Sequence, residues 1–280
     1  MSKRLRTSGL RTTERRLAEG RGQGRGYNYK PWLMIHDVPS IGLASRVKSP
    51  LNGRTHHLLS QLETDWLYVF HAIPHLLDVR EQYPLLALDE TLQIASRLDI
   101  AHPAEPRTKE HCVVTTDFLL TVADGVREVN TAVAVKYSTD LASPRTLEKL
   151  EIEKLYWLAR GTVWRILTEK ELPRALVKNM RWLHTHMDLP ASSEFSVEGV
   201  NQIRTLMEPA VEHGKQSLAE IAKQCDYRLG LQAGAALCVA RHLIATAVWT
   251  VDLKVELDPR TPIKFINKGD SNALASVLAA

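Results

Sequence analysis

The chain has 280 residues, 44% of them hydrophobic and 24% charged, which is ordinary for a globular protein and long enough for two domains. No apolar run could span a bilayer and the N-terminus lacks the apolar core of a signal peptide, so a membrane protein is excluded and no membrane partner is expected. Three cysteines show neither CxxC spacing nor a disulfide framework, which favours a reducing, cytoplasmic setting.

Positive charge is concentrated at the N-terminal end. Residues 1–60 hold 12 Lys and Arg against 3 Asp and Glu, a net charge of +9, whereas the remainder holds 24 against 29, a net charge of −5. This asymmetry indicates a polyanion partner, although a solvated tail explains it equally well. The glycine- and arginine-rich stretch Glu19–Gly26 lacks the strand and helix of a phosphate-binding motif, so it predicts a flexible basic arm along a nucleic-acid backbone. The candidate DNA contacts are Arg21, Arg25, Lys30, Arg54, His56 and His57.

The first strongly amphipathic segment predicts a helix over His56–Ile73. At about 100° per residue, Glu63 falls inside an apolar arc that covers one half of the helical wheel. The apolar residues of this arc are Leu58, Leu59, Leu62, Trp66, Leu67 and Phe70. A carboxylate directed at the core is costly unless it is paired or binds a metal. Glu63 is therefore either a metal ligand or a partner in a structural ion pair.

The next segments alternate between strand and helix patterns. A short strand near Leu77–Gln82 and a loop up to Lys109 precede a hairpin of Val113–Val122 and Glu128–Ser138, with its turn at 124–125. The later elements of this half are a helix capped by Ser143 that ends near Gly161, a strand at Val163–Leu167 and a helix at Pro173–His186. This order predicts an α/β fold with a mixed sheet flanked by helices.

The C-terminal part predicts a small helical domain. Helices at Ser217–Gln224 and Leu231–Ala245 and a strand at Ala247–Leu253 form a winged-helix-like pattern. The second of these helices is largely apolar and offers only Arg241 and His242 as basic side chains, which favours contact with a protein over DNA. The predicted domains are a basic arm at 1–52, a catalytic domain at 53–187, a linker at 188–198 and the winged-helix-like domain at 199–280.

The hairpin carries the candidate chemistry. A turn at 124–127 brings Asp117 opposite residues 132–136, where Lys136 can meet it. An Asp and a Lys on neighbouring strands form either a cross-strand ion pair or, with a further acid such as Glu63, the skeleton of a metal-dependent nuclease site.

Six ordered blocks between Glu19 and about Leu183 carry a family resemblance: EGRGQGRGYNYKPWL, GRTHHLLSQLE, LDVREQYPLL, TTDFLL, VK and RTLEKLEIEKLYW. Together they resemble the TnsA family, the endonuclease subunits of heteromeric cut-and-paste transposases. The resemblance implies a restriction-endonuclease-like N-terminal half and a winged-helix-like C-terminal domain. It also implies that the catalytic residues are Glu63, Asp117 and Lys136.

The resemblance further implies a Mg²⁺ site, with Mn²⁺ able to substitute. The expected ligands are Glu63, Asp117 and the backbone carbonyl of Val135. Many such nucleases have an acid or Gln two residues before the lysine, but this chain has Ala134, so whether one or two ions bind stays open. The secondary candidates, which a salt bridge at a strand edge explains nearly as well, are Glu81 and Gln82. Glu153, on a lysine-rich helix, is expected on a solvated face.

The expected function is a Mg²⁺-dependent endonuclease that cuts the 5′ strands at transposon ends, with Lys136 stabilising the charge that develops on the phosphate. The implied partners are DNA, a TnsB-like transposase subunit and a TnsC-like ATP-dependent regulator that contacts the C-terminal domain. The implied location is the prokaryotic cytoplasm, at the nucleoid. The alternative is a non-catalytic DNA-binding adaptor, which Ala134 leaves open.

Overall fold

A computed structural model describes residues 10–38, 43–106, 108–190, 192 and 195–266. By their contacts, the described residues up to Leu172 form one compact unit, except that Ala72–Pro74 group with the residues from Pro173 onward. The predicted domain bounds, with a linker at 188–198, stay a prediction. Parts of every predicted segment lie outside the described residues, namely 1–9 and 39–42 in the arm, 107 in the catalytic domain, 191, 193 and 194 in the linker and 267–280 in the C-terminal domain.

The first unit is built around a mixed sheet. Its helices and strands are α1 (Leu10–Ala18), β1 (Ser45–Lys48), β2 (Thr55–Leu58), α2 (Gln61–His71), β3 (Leu76–Pro84), α3 (Leu88–Arg97), β4 (Thr115–Asp124), β5 (Arg127–Val135), α4 (Pro144–Leu158) and β6 (Val163–Leu167). β1 and β2 form an antiparallel ribbon, and the main sheet has the order β3-β4-β5-β6 with β6 parallel to β5. The predicted α/β fold with a mixed sheet flanked by helices is confirmed, and it fits a nuclease-like fold.

Helices cover both faces of the main sheet. On one face the ring of Phe70 in α2 meets Phe118 of β4 edge-on, with 5.1 Å between ring centroids. On the other face α3 and α4 pack over Leu119 and Ala132 in one buried cluster. Because successive strand residues point to opposite faces, Phe118 and Leu119 divide between the two layers. Coverage of both faces explains why all of residues 132–135 at the end of β5 are buried.

Helix α2 begins later than the apolar wheel predicts. Ser60 caps it, since Ser60 Oγ accepts a hydrogen bond from Glu63 N (3.1 Å) and donates one to Glu63 Oε1 (2.9 Å). The predicted helix over His56–Ile73 is therefore wrong in its first turn, where β2 pairs with β1. The sequence held the signal for this start, because Ser60 and Glu63 have the S-x-x-E spacing of a capping box.

The loop predicted up to Lys109 contains α3. Thr91, Ile94 and Ala95 of this helix are buried at helical spacing against α4. That prediction is wrong because the buried stripe of α3 is short, with three residues within ten, one of them the polar Thr91, and acidic side chains separate it from the strand before it.

The glycine-rich stretch is ordered on the sheet rather than flexible. Gly22 adopts a positive φ of 74°, which favours glycine. Gly26 N donates to the Asp78 carboxylate on β3 (3.1 Å), and Trp32 N donates to the carbonyl of Gln82 (3.2 Å). The glycine-rich stretch and the residues that follow it up to Trp32 thus contact the outer edge of β3, which would otherwise expose unpaired backbone groups.

The second unit is helical in its described part. Its helices are α5 (Arg174–His184), α6 (Val197–His213), α7 (Leu218–Leu229) and α8 (Ala235–Ala245). Ser217 caps α7 in a capping box with Glu220, at the predicted start of this helix. Asp226 fixes the turn into α8, because its carboxylate accepts hydrogen bonds from the N–H groups of Gly234 and Ala236, both at 2.7 Å. Across all the described residues, every helix is too short or too polar to cross a membrane.

The strand predicted over Ala247–Leu253 is wrong. Trp249 and Val251 are buried in the helical core of the second unit, and Val251 forms a single bridge with Phe265. The alternation in the sequence arises because these two side chains point into that core, and no β ladder accompanies them in the described residues.

Gly22→Ala is expected to destabilise the protein more than Gly125→Ala. Both glycines have positive φ, which costs a residue with a Cβ about 1–2 kcal/mol. A Cβ at Gly22 would also lie 2.3 Å from Cγ of Pro84, whereas one at Gly125 meets nothing within 4 Å. The clash adds about 1–3 kcal/mol to the loss for Gly22→Ala. Urea unfolding followed by circular dichroism measures both variants, and equal losses would contradict the packing of this stretch on β3.

Candidate active site

The end of the β4–β5 hairpin brings an acid and a lysine together. Phe118 pairs with Val133 in the antiparallel register, which places Asp117 at the level of the last residues of β5. Asp117 Oδ2 accepts hydrogen bonds from Val135 N and from Lys136 Nζ, both at 2.7 Å. Lys136 Nζ also donates to the carbonyl of Val135 (3.0 Å). The lysine ammonium is thereby fixed between a carboxylate and a backbone carbonyl.

Glu63 adds a second carboxylate from α2. It is buried, and its carboxylate accepts hydrogen bonds from Leu59 N and Ser60 Oγ, both at 2.9 Å. Burial and then the negative charge of Asp117 raise the pKa of Glu63 to about 7, against the opposing effects of these hydrogen bonds and of Lys136. The three residues predicted from the sequence therefore interact as one electrostatic cluster.

The lysine in this cluster remains a cation. Burial alone would lower the pKa of Lys136, but the charge and hydrogen bond of Asp117 more than offset that effect, so the pKa is raised. A lysine with a raised pKa cannot act as a proton acceptor at neutral pH and acts through its charge instead.

Glu153 is a third carboxylate that the sequence prediction missed. The side chain is buried on α4, and Oε1 accepts a hydrogen bond from Trp164 Nε1 (2.9 Å). Burial and then Asp117 raise the pKa of Glu153 to about 7. The expected solvated position is wrong, because Glu153 lies on the same helix face as the buried Leu150 and Trp157. This helical spacing from apolar residues is visible in the sequence and would have predicted burial of Glu153, as it did for Glu63.

Glu81, a secondary candidate, lies in a buried ion-pair cluster. Its carboxylate accepts hydrogen bonds from both terminal nitrogens of Arg54, at 2.8 and 2.7 Å, and lies 2.8 Å from Nδ1 of His56. Burial alone would raise the pKa of Glu81, but His56 and Arg54 hold it well below its ordinary value. Arg54 and His56, predicted to contact DNA, are therefore core residues, while His57 is half-buried on the opposite face of β2.

Gln82, the other secondary candidate, reaches the site. It has a positive φ of 48°, which is uncommon for a residue with a side chain. Its amide nitrogen donates a long hydrogen bond to Glu63 Oε2 (3.4 Å), and its amide oxygen accepts one from Thr115 Oγ1 (3.4 Å). Gln82 thus links the carboxylate on α2 to the start of β4, two residues before Asp117.

The remaining predicted DNA contacts are engaged inside the first unit. Arg21 is buried and forms an ion pair with Asp37. Arg25 pairs with Glu128 at 2.7 Å, and Glu128 lies seven residues before the end of β5, roughly 23 Å from it along the strand. Lys30 is exposed, but its ammonium donates to the backbone carbonyl of Glu19 (2.9 Å).

The donor set fits a hard divalent cation. The carboxylates of Glu63 and Asp117 and the carbonyl of Val135 are oxygen ligands, which Mg²⁺ prefers. With Glu153, three carboxylates share the cluster with one ammonium, so full ionisation leaves an excess negative charge that a divalent cation would balance. Among the described residues, no three His, Cys, Asp or Glu side chains are arranged to hold a metal. Two carboxylates are sufficient for Mg²⁺, which usually keeps several waters.

Known proteins resemble both halves of the chain. Residues 74–169 match the family described as TnsA-like endonuclease N terminal, and residues 171–253 match the family described as TnsA endonuclease C terminal. The chain is 39% identical over 231 residues to the Transposon Tn7 transposition protein TnsA of Escherichia coli, with 82% of each chain covered. The similarity thus spans the hairpin, the site and the second unit.

Glu81→Gln is expected to lower the free energy of unfolding by about 3–5 kcal/mol at neutral pH, because it leaves the buried Arg54 without its counter-charge. The depressed pKa of Glu81 means that its stabilising effect is present above the unfolded-state pKa of about 4.3 and is lost as the pH falls below it. The difference between wild type and variant should therefore narrow in acid. Urea unfolding at neutral and acidic pH measures it, and Glu128→Gln, at an exposed ion pair, serves as the control that should change little. A difference that is constant with pH would contradict this role.

Proposed function

The chain belongs to the TnsA endonuclease family, and from that premise we propose that it is the Mg²⁺-dependent endonuclease subunit of a transposase that cuts the 5′ strands at transposon ends. The observation that carries the proposal is the contact of Asp117 with both Lys136 Nζ and Val135 N, beside the buried carboxylate of Glu63. This combination of acids and lysine serves phosphodiester hydrolysis better than it serves the stability of the fold, because placing three carboxylates, two of them buried, around one cation is costly.

In the proposed mechanism the ion is held by Glu63, Asp117 and the carbonyl of Val135. When bound, Mg²⁺, or Mn²⁺ in its place, polarises the scissile phosphate and lowers the pKa of water. Lys136 remains protonated, so its ammonium stabilises the negative charge that develops on the phosphate. Asp117 fixes the ammonium in place and so spares it reorganisation during the reaction. Glu153 adds negative charge beside Asp117, where Ala134 offers no polar side chain.

The second unit is proposed to bind protein partners. We assign residues 199–280 a winged-helix-like role, with the bridge of Val251 to Phe265 in place of the predicted strand. Arg241, one of the few basic residues of α8, lies over the ring of Trp182 (4.6 Å) and is therefore engaged within its own unit. This engagement favours contact with a TnsC-like ATP-dependent regulator over DNA. A TnsB-like subunit that processes the 3′ strands completes the proposed complex, which acts on DNA in the cytoplasm.

The proposal is tested by nicking of an end-labelled transposon-end duplex with Mg²⁺ or Mn²⁺, in the presence of the TnsB- and TnsC-like subunits. Wild type should cut the 5′ strand only with the metal, and Asp117→Ala should lose this cleavage because it removes both a ligand and the anchor of Lys136. No metal-dependent cleavage by wild type, while the partner still processes the 3′ strand, would favour the non-catalytic adaptor instead.

Lys136→Ala separates catalysis from binding. We expect DNA binding close to wild type and a fall in nicking rate of roughly 100-fold or more, because the variant loses the charge that stabilises the transition state. Binding is measured by fluorescence anisotropy and nicking by single-turnover kinetics. Lys154→Ala, which removes a lysine paired with Glu151 on the exposed side of α4, is the matched control. Retained nicking in Lys136→Ala would remove this lysine from the mechanism.

A further inference from the structure

Gln82 has an unusual backbone conformation in the middle of the candidate site. Its two neighbours in β3 pair with Phe118 and Thr116 of β4, so the antiparallel register places Gln82 opposite Asp117. Its φ of 48° is a left-handed value, which is disfavoured for a residue with a Cβ and departs from the extended backbone of a strand. Such a conformation persists only where the surrounding structure imposes it, and it is frequent at functional sites.

The Gln82 side chain is buried but weakly held. It is 2% exposed. Its Nε2 donates to Glu63 Oε2 and its Oε1 accepts from Thr115 Oγ1, both at 3.4 Å, whereas ordinary protein hydrogen bonds measure about 2.5–3.2 Å. Buried polar groups normally form good hydrogen bonds, because an unsatisfied one is costly. The buried amide beside Glu63 can therefore gain free energy from a stronger partner.

The two neighbours of the amide allow it to turn over. A half-turn about its last side-chain bond exchanges Oε1 and Nε2, and Thr115 Oγ1 can then accept from the nitrogen, since a hydroxyl both donates and accepts. The same turn places Oε1 beside the Glu63 carboxylate. Two oxygens so placed repel each other unless a cation lies between them. The chemistry of the reversed amide is therefore that of a cation ligand.

We propose that Gln82 is a ligand of the divalent cation, with its amide reversed so that Oε1 binds the ion together with Glu63 and Asp117. The inference rests on the proposed function, which supplies the metal. A neutral amide oxygen suits a hard cation and adds no further negative charge to a site with three carboxyls. Ala134 of β5 offers no side-chain oxygen, and Gln82 supplies one from the opposite side of β4.

The test measures Mn²⁺ binding to the full-length protein without DNA, by electron paramagnetic resonance of the free ion. Gln82→Met keeps the length of the side chain but removes its oxygen, so the affinity should fall roughly 10-fold or more. Gln82→Glu keeps an oxygen at the same place and removes the N–H donor, so it should bind Mn²⁺ at least as tightly as wild type. If Gln82 only oriented Glu63 through its N–H group, both variants would bind more weakly.

Two further variants serve as controls. Gln61→Met changes another glutamine, whose amide donates to Asp65 on α2 (2.8 Å), and should keep the wild-type affinity. Asp117→Ala should lose Mn²⁺ binding, which places the measured ion at the candidate site. Thermal unfolding without metal checks that each variant is folded. If Gln82→Met does not fold, Gln82→Asn replaces it, because asparagine tolerates a positive φ and withdraws the oxygen by one methylene.

The outcomes separate this inference from the proposed function. Wild-type affinity in Gln82→Met, or equally weakened binding in Gln82→Met and Gln82→Glu, would overturn the assignment of Gln82 as a ligand. If Asp117→Ala still loses Mn²⁺ in that case, the metal site of the proposed function stands without Gln82. If wild type binds no Mn²⁺, or Asp117→Ala binds it as wild type does, the metal site and this inference both fail.

Discussion

The buried ion pair of Glu81 with Arg54 is the interaction on which the first unit depends. It joins β3, the outer strand of the main sheet, to the segment that leads into β2, and His56 and the N–H of His57 contact the same carboxylate. Because β2 runs directly into the capped start of α2, this pair also determines where Glu63 lies. A buried ion pair contributes little net free energy of folding, yet removing one partner leaves an unpaired buried charge and lowers stability strongly. The pair therefore favours the arrangement of β2 and β3 in which both partners meet.

In the candidate site three carboxyls face one ammonium, so the ionised side chains carry more negative than positive charge. Asp117 pairs with Lys136, whereas no salt bridge in the described part of the chain holds Glu63 or Glu153, and burial and then the charge of Asp117 raise the pKa of both carboxyls to about 7. Elsewhere in the first unit a buried acid is fully paired, since Arg54 and His56 lower the pKa of Glu81. The proposal of a functional site here rests on this cluster of acids, since stability alone gives no reason to keep two buried carboxyls with raised pKa values beside Asp117.

The sequence predicts those parts of the site that depend on local periodicity. Asp117 and Lys136 follow from alternation in two strands and an Asp-Gly turn, and Glu63 follows from an apolar helical arc. Glu153 satisfies the same helical criterion and was missed because the neighbouring lysines suggested a surface. The Glu81–Arg54 pair could not be predicted, because it joins residues 27 positions apart whose pairing depends on how β2 meets β3.

Charge counted along a sequence does not show where the charge is available. Part of the positive charge that suggested a flexible arm is paired with acids within the first unit, as the buried pair of Arg21 with Asp37 illustrates. The β1–β2 ribbon shows this at single residues, since His56 and His57 are adjacent in sequence, but His56 contacts Glu81 in the core and His57 lies half-buried on the opposite face of β2. Strand alternation is the physical cause, because it sends successive side chains to opposite faces.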